Sequence, residues 1–168
     1  MNNSAILTNI LRFIALVLLQ VLLLNHINFL GYVNPYLYLL FIISFPLDGN
    51  RSLLIFLSFL LGLSVDFFAD SGGVHAAASV FIAYLRSPIL KFSFGVSYEY
   101  NMIKINKAPL IERLTYISLM VLLHHLILFT LEVFSLSHAL LILKSTLFSG
   151  IFSILLIFCT LLLFSRKT

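Results

Sequence analysis

The chain has 168 residues, of which 61% are hydrophobic and only 10% charged, with a formal net charge of +4. A water-soluble domain carries about 45–50% apolar and about 25% charged residues, so these proportions exclude an ordinary globular core and leave room for about six membrane spans of ~20 residues. The single cysteine, Cys159, lies in an apolar run, which excludes an intrachain disulfide framework and thiol redox pairing.

The first span covers about residues 10–30. Arg12 precedes its apolar run, but Gln20, Asn25 and His26 interrupt the far end and no small-x-small cleavage site follows, so it reads as a permanent span. Gly31 ends it. The pair Asn34-Pro35 predicts the start of a second span over residues 35–47, with Asn34 as the cap and Pro35 at the first helical position. As a helix that segment reaches only about 20 Å, short of the roughly 30 Å of hydrocarbon. Pro46, Asp48, Gly49 and Asn50 close it with turn chemistry.

The third span is read over residues 52–69 and the fourth over 74–87. The stretch joining them, GLSVDFFADSGGVHAAASVFIAYLR from Gly62 to Arg86, holds the least ordinary residues of the chain. Ser58, Gly62, Asp66 and Asp70 recur every four residues, which puts them on one helical face. Ser71, Gly72 and Gly73 break the helix, and His75 with Ala76, Ala77 and Ala78 opens the next. Pro88 disfavours further helix, so residues 88–109 form a polar cytoplasmic loop. Within it residues 96–102 alternate with period two, the pattern of a short strand or an extended surface segment. Pro109 restarts helix, giving a fifth span over residues 110–134 and a sixth over 139–164.

Six spans with a cytoplasmic N-terminus and C-terminus place Arg12, Arg51, Arg86, Lys91, Lys104, Lys107, Arg113, Arg166 and Lys167 at or near the cytoplasmic face, as the positive-inside rule requires. Only Lys144 falls near the outer end of span six. A re-entrant second span would carry the basic loop outside, so the charge pattern has span two cross. The elbow from Asp70 to Gly73 then faces the exterior.

Asp66 falls about one turn inside the outer boundary. A charge at the bilayer centre costs about 2.5–3.5 kcal/mol, less near the edge, so Asp66 calls for a partner, with His75 and Lys144 as candidates. Two readings are open. Gly62, Asp66, Asp70, His75 and Lys144 form a polar cluster that binds a ligand or a partner, or they lock spans three, four and six together. Glu132 is more peripheral. His124 and His125 point about 100° apart on span five, which suits interhelical hydrogen bonding and not a shared metal. Ser79, Ala83 and Ser87 on span four, and Ser145, Ser149 and Ser153 beside Gly150 on span six, make faces for close helix packing.

No H-E-x-x-H, G-x-S-x-G or phosphate-binding glycine loop is present, so the reading is no enzyme, no cofactor and no metal. The sparse basic loop suits anionic lipid head groups better than nucleic acid.

A six-span chain of this size, with Asn34-Pro35 opening a short second span and a third span ending Gly62-x-x-x-Asp66, then Asp70, Gly72 and Ala76 to Ala78, resembles the MreD family of bacterial rod-shape-determining membrane proteins. The resemblance covers nearly the whole chain. It implies an all-α fold similar to the membrane-embedded substrate-binding subunit of energy-coupling-factor transporters. It also implies a non-enzymatic inner-membrane scaffold of the cell-elongation machinery, regulating cell shape and peptidoglycan synthesis. The implied partner is the membrane-anchored periplasmic protein MreC, and through it the MreB filament, the RodA glycosyltransferase and a class B penicillin-binding protein. The alternative is the substrate-binding membrane subunit of a small-molecule, vitamin-type transporter. A third reading is an intramembrane enzyme using the Asp66 and Asp70 carboxylates as an acid–base pair.

Overall fold

The structure, a computed structural model, describes residues 3–27, 29, 31, 33–47, 49–95, 105 and 108–165. The alternating segment 96–102 and the basic residues Lys104, Lys107, Arg166 and Lys167 lie outside the described residues. Among the described residues the fold is all-helical. Helix α1 spans Asn3–Leu22, α2 Leu39–Ile43, α3 Arg51–Ala69, α4 Val74–Phe94, α5 Leu110–Val133 and α6 Ala139–Ser165. Four of these regions, at Leu7–His26, Arg51–Ala69, Leu110–Val133 and Ala139–Leu163, are long and apolar enough to cross a membrane. Helix α4 is as long but less apolar.

α3 packs on α4, α4 on α5 and α5 on α6, while α1 leans on α3. The outer helices keep broad apolar faces uncovered. Leu7, Leu11, Ile14 and Leu18 on α1, and Leu140, Leu143, Leu147, Ile151 and Leu155 on α6, are all exposed. A soluble monomer rarely shows apolar patches of that size, whereas hydrocarbon covers them at no cost.

The segment 33–47 runs through the middle of the bundle. Residues 35–43 are all buried, and Tyr38, Leu39, Ile42 and Ile43 are completely enclosed. This corrects the expectation of a second helix capped by Asn34 and begun by Pro35. Residues 34–36 are not helical, and helix is confined to the five residues of α2. The chain enters through a tight turn at Gly31 (φ +81°), closed by paired backbone hydrogen bonds between Phe29 and Val33. Unwinding leaves backbone N–H groups without helical acceptors, and in a dry interior each must find one. Side chains from α1 and α6 supply them: Leu37 N donates to Gln20 Oε1 (2.9 Å), Tyr36 N to Ser153 Oγ (2.9 Å) and Asn34 N to Ser149 Oγ (3.2 Å). Gln20 Nε2 also donates to the Pro35 carbonyl (3.1 Å).

The far end of the segment is held by cations. Arg86, expected at the cytoplasmic face, is buried; its guanidinium donates to Tyr116 Oη (3.0 Å) and to the carbonyls of Ile43 and Phe45. The Tyr116 hydroxyl donates to the Ile43 carbonyl as well (3.1 Å). The last carbonyls of a helix have no intrahelical donor, and here Arg86 and Tyr116 provide it for α2. Arg12 reaches the same end through Ser44 Oγ (3.2 Å).

α4 continues to Phe94 straight through Pro88, so the connection after it begins at Gly95 and not at residue 88. A helical proline lacks the N–H that the carbonyl four residues earlier would accept, here that of Tyr84. Arg51 fills the gap: its Nη2 donates to the Tyr84 carbonyl at 3.0 Å, and the guanidinium lies 4.8 Å from the centre of the Tyr84 ring.

Candidate functional site

The polar residues of the α3–α4 elbow form a clasp. α4 begins at Val74 behind Gly73, whose left-handed backbone (φ +96°) suits the turn but which has no side chain to cap the helix. The N–H groups of the second and third helical residues normally bond to the side chain of the capping residue. Asp66, a full elbow away on α3, takes over: Oδ1 accepts from His75 N (3.0 Å) and Oδ2 from Ala76 N (2.8 Å). Oδ1 also accepts from the Ser71 hydroxyl (2.6 Å) and lies 3.0 Å from His75 Nδ1. The carboxylate therefore sits at the positive end of the α4 dipole with three donors and the His75 ring nitrogen around it.

One turn before Asp66, Gly62 lets the two helices touch. A β-carbon at Gly62 would stand 2.5 Å from both Ala76 Cα and the His75 carbonyl oxygen. Asp66 and His75 are 5% and 7% exposed.

Of the residues singled out from sequence, Gly62, Asp66 and His75 come together. Asp70 and Lys144 do not join them. Asp70 ends α3 in the left-handed conformation (φ +52°), which turns its exposed side chain off the face that carries Asp66. The two carboxylates lie in different settings, Asp66 buried and hydrogen-bonded and Asp70 exposed. Lys144 is exposed on α6 and takes no part in the Asp66 clasp, and Glu132 is exposed as well. Among the described residues the one close contact between an acidic and a basic side chain is Asp66 with His75.

A second set of polar groups lies deeper, around His124 and His125, for which the sequence suggests interhelical hydrogen bonding. His124 and His125 are both fully buried. His124 Nε2 meets Tyr38 Oη (2.9 Å), His125 Nε2 meets Ser153 Oγ (3.0 Å), and the two Nδ1 atoms are 3.5 Å apart. Adjacent residues diverge by about 100° at the backbone, yet these rings bend back to a centroid separation of 5.4 Å. The Tyr36 and Tyr38 rings pack 5.7 and 6.1 Å from the His75 ring, so clasp and interior set meet there. Among the described residues no three His, Cys, Asp or Glu side chains group to hold a metal.

The sequence gives no sign of Tyr36 and Tyr38, marks Gln20 only as a polar interruption of the first span, and marks Ser149 and Ser153 only as a packing face. A glutamine inside an otherwise apolar span, facing an Asn-Pro step, was the available signal. So was the four-residue spacing of the two serines. Compared with known proteins, the chain has no significant match to a family model, a curated protein or a solved structure.

Proposed function

We propose that this chain is a non-enzymatic scaffold of a bacterial inner membrane, of the MreD kind, which supports peptidoglycan synthesis and cell shape by binding a single-span periplasmic partner of the MreC kind. Through that partner it would join the MreB filament, RodA and a class B penicillin-binding protein. The observation that carries the reading is the use made of Asp66. Its carboxylate is occupied by Ser71, His75 and Ala76, so the most deeply buried acid among the described residues serves to close a helical hairpin. A hairpin whose Asp66 carboxylate and His75 imidazole are turned inward is suited to present a surface rather than to turn over a substrate.

On this reading six segments cross the membrane with both termini cytoplasmic, in a fold like that of the energy-coupling-factor binding subunits. Residues 33–47 make the second crossing. Extended residues rise about 3.3 Å each against 1.5 Å in a helix, so unwinding lengthens a segment too short to cross as helix alone. Side chains of α1 and α6 that bond its unwound backbone supply the setting that non-helical backbone needs at membrane depth.

The test is co-purification. The full chain, expressed with the single-span periplasmic protein of its own host, is expected to retain that partner through purification in mild detergent. Well-folded protein that retains none across several mild detergents would sink the reading. A second reading, the vitamin-type transporter subunit, draws on the unwound segment, because broken helices line the substrate sites of many transporters. Thermal stabilisation of the chain by a vitamin-like ligand would favour it over the scaffold.

A further inference from the structure

Helices α3 and α4 leave a shallow apolar groove of about 630 Å³ on the outside of their hairpin. Ile55, Phe59 and Leu63, four residues apart, form one wall. Ala77, Phe81 and Tyr84 form the other, and Gly73, which has no side chain, and the small Ala76 keep the upper end open. Among the described residues none of the groove's lining side chains is charged, but a cation stands at one end. Arg51 stands at its Tyr84 end, four residues before Ile55, and is exposed.

That arginine is held in place by the helix defect described above. Pro88 leaves the Tyr84 carbonyl without its helical donor, Arg51 Nη2 takes it, and the Tyr84 ring lies beneath the guanidinium. The arrangement uses one guanidinium nitrogen. Among the described residues no carboxylate pairs with Arg51. A planar guanidinium with donors to spare matches a phosphate better than any other common anion at a membrane surface. Along α3, Arg51 to Leu63 covers twelve steps of 1.5 Å, about 18 Å, close to the ~15 Å of hydrocarbon in one leaflet.

We propose that this groove binds an anionic glycerophospholipid, with an acyl chain between α3 and α4 and the phosphate on Arg51. A cation fixed at one end of an apolar slot one leaflet deep complements a molecule that is an anion at one end and hydrocarbon for the rest. This holds whether or not the chain is an MreD-like scaffold.

The full chain, delipidated in a neutral detergent, would be titrated separately with phosphatidylglycerol and phosphatidylcholine bearing the same acyl chains. Native mass spectrometry counts bound lipid, and thermal unfolding reads stabilisation. Phosphatidylglycerol is expected to bind about fivefold more tightly, the factor that one basic residue near a membrane surface contributes. Arg51→Gln should bring the two lipids to parity, and Arg51→Lys should keep most of the preference. Ala77→Phe, at an exposed position, should fill the slot and remove bound lipid of both kinds while the protein stays folded. Equal binding of the two lipids by the unaltered chain, or a preference that survives Arg51→Gln, overturns the proposal. So does lipid retention in Ala77→Phe. A groove that takes a single-span peptide and neither lipid belongs to a partner helix, and that result overturns it too.

Discussion

Gly62 and Ala76 are in backbone contact: a β-carbon placed on Gly62 would come within 2.5 Å of Ala76 Cα. The same Ala76 gives its N–H to Asp66, one turn further along α3. The close approach and the hydrogen bond therefore depend on each other. If the helices separate, the carboxylate loses its reach, and if the carboxylate goes, α4 loses its cap.

Gly62→Ala is accordingly expected to cost about 2–3 kcal/mol, since the atoms it meets are backbone and cannot rotate away. Gly150→Ala is the control. There the nearest atom is the end of the Leu122 side chain at 3.1 Å, which can move, and the cost should stay below about 1 kcal/mol. Equilibrium unfolding of the two variants in detergent compares them. Equal tolerance would mean that α3 and α4 do not touch at Gly62.

The two aspartates should separate cleanly. Asp66→Asn replaces an acceptor-only carboxylate by an amide whose NH2 must face backbone donors. It is expected to destabilise by about 2–3 kcal/mol. Asp70→Asn keeps a residue that tolerates the left-handed conformation and changes only an exposed side chain, so its effect should lie within about 0.5 kcal/mol. Asp66→Leu should likewise lower folded yield and partner retention more than Glu132→Leu. Matching losses at Asp66 and Asp70 would remove the clasp from the account.

The unwound segment predicts costs in side chains far from it in sequence. Gln20→Leu leaves Leu37 N and the Pro35 carbonyl without partners, and Ser153→Ala does the same to Tyr36 N while freeing one side of His125. Each should cost about 1–3 kcal/mol, as expected when one half of a buried hydrogen bond is removed. Ser137→Ala, on an exposed turn, should cost almost nothing. Unfolding midpoints of the three variants decide the matter, and near-neutral Gln20→Leu would show that the segment takes its hydrogen bonds elsewhere.

What could be read from the sequence was the part written in local pattern. Apolar runs of about twenty residues mark the four helices long and apolar enough to cross a membrane. The Ser71-Gly72-Gly73 break marks the elbow, and the isolation of Asp66 in apolar sequence marks a buried acid in need of a partner, with His75 among the candidates. What could not be read depended on contacts between distant segments. Asn34-Pro35 has the local chemistry of a helix start, but Gln20, Ser149 and Ser153 offer its backbone acceptors that a helix does not need. Pro88 has the local chemistry of a helix stop, and it is overruled by an arginine 37 positions earlier. Asp70 has the right spacing to pair with Asp66, but the helix ends one residue too soon.

The relation between Pro88 and Arg51 gives the sharpest test, because it predicts a coupling and not just a loss. In the native chain the Tyr84 carbonyl has no donor on its own helix, so Arg51→Gln should cost about 1 kcal/mol through the lost charge-assisted hydrogen bond. Pro88→Ala restores an N–H at position 88, and that N–H bonds to the Tyr84 carbonyl directly. Arg51 then has nothing left to satisfy, and Arg51→Gln in the Pro88→Ala background should be nearly neutral. A double-mutant cycle read by unfolding in detergent is expected to give a coupling of about 1 kcal/mol between two residues that share only that carbonyl. Strictly additive costs would mean that Arg51 lies over Tyr84 for the ring alone, and that α4 passes through Pro88 without help from α3.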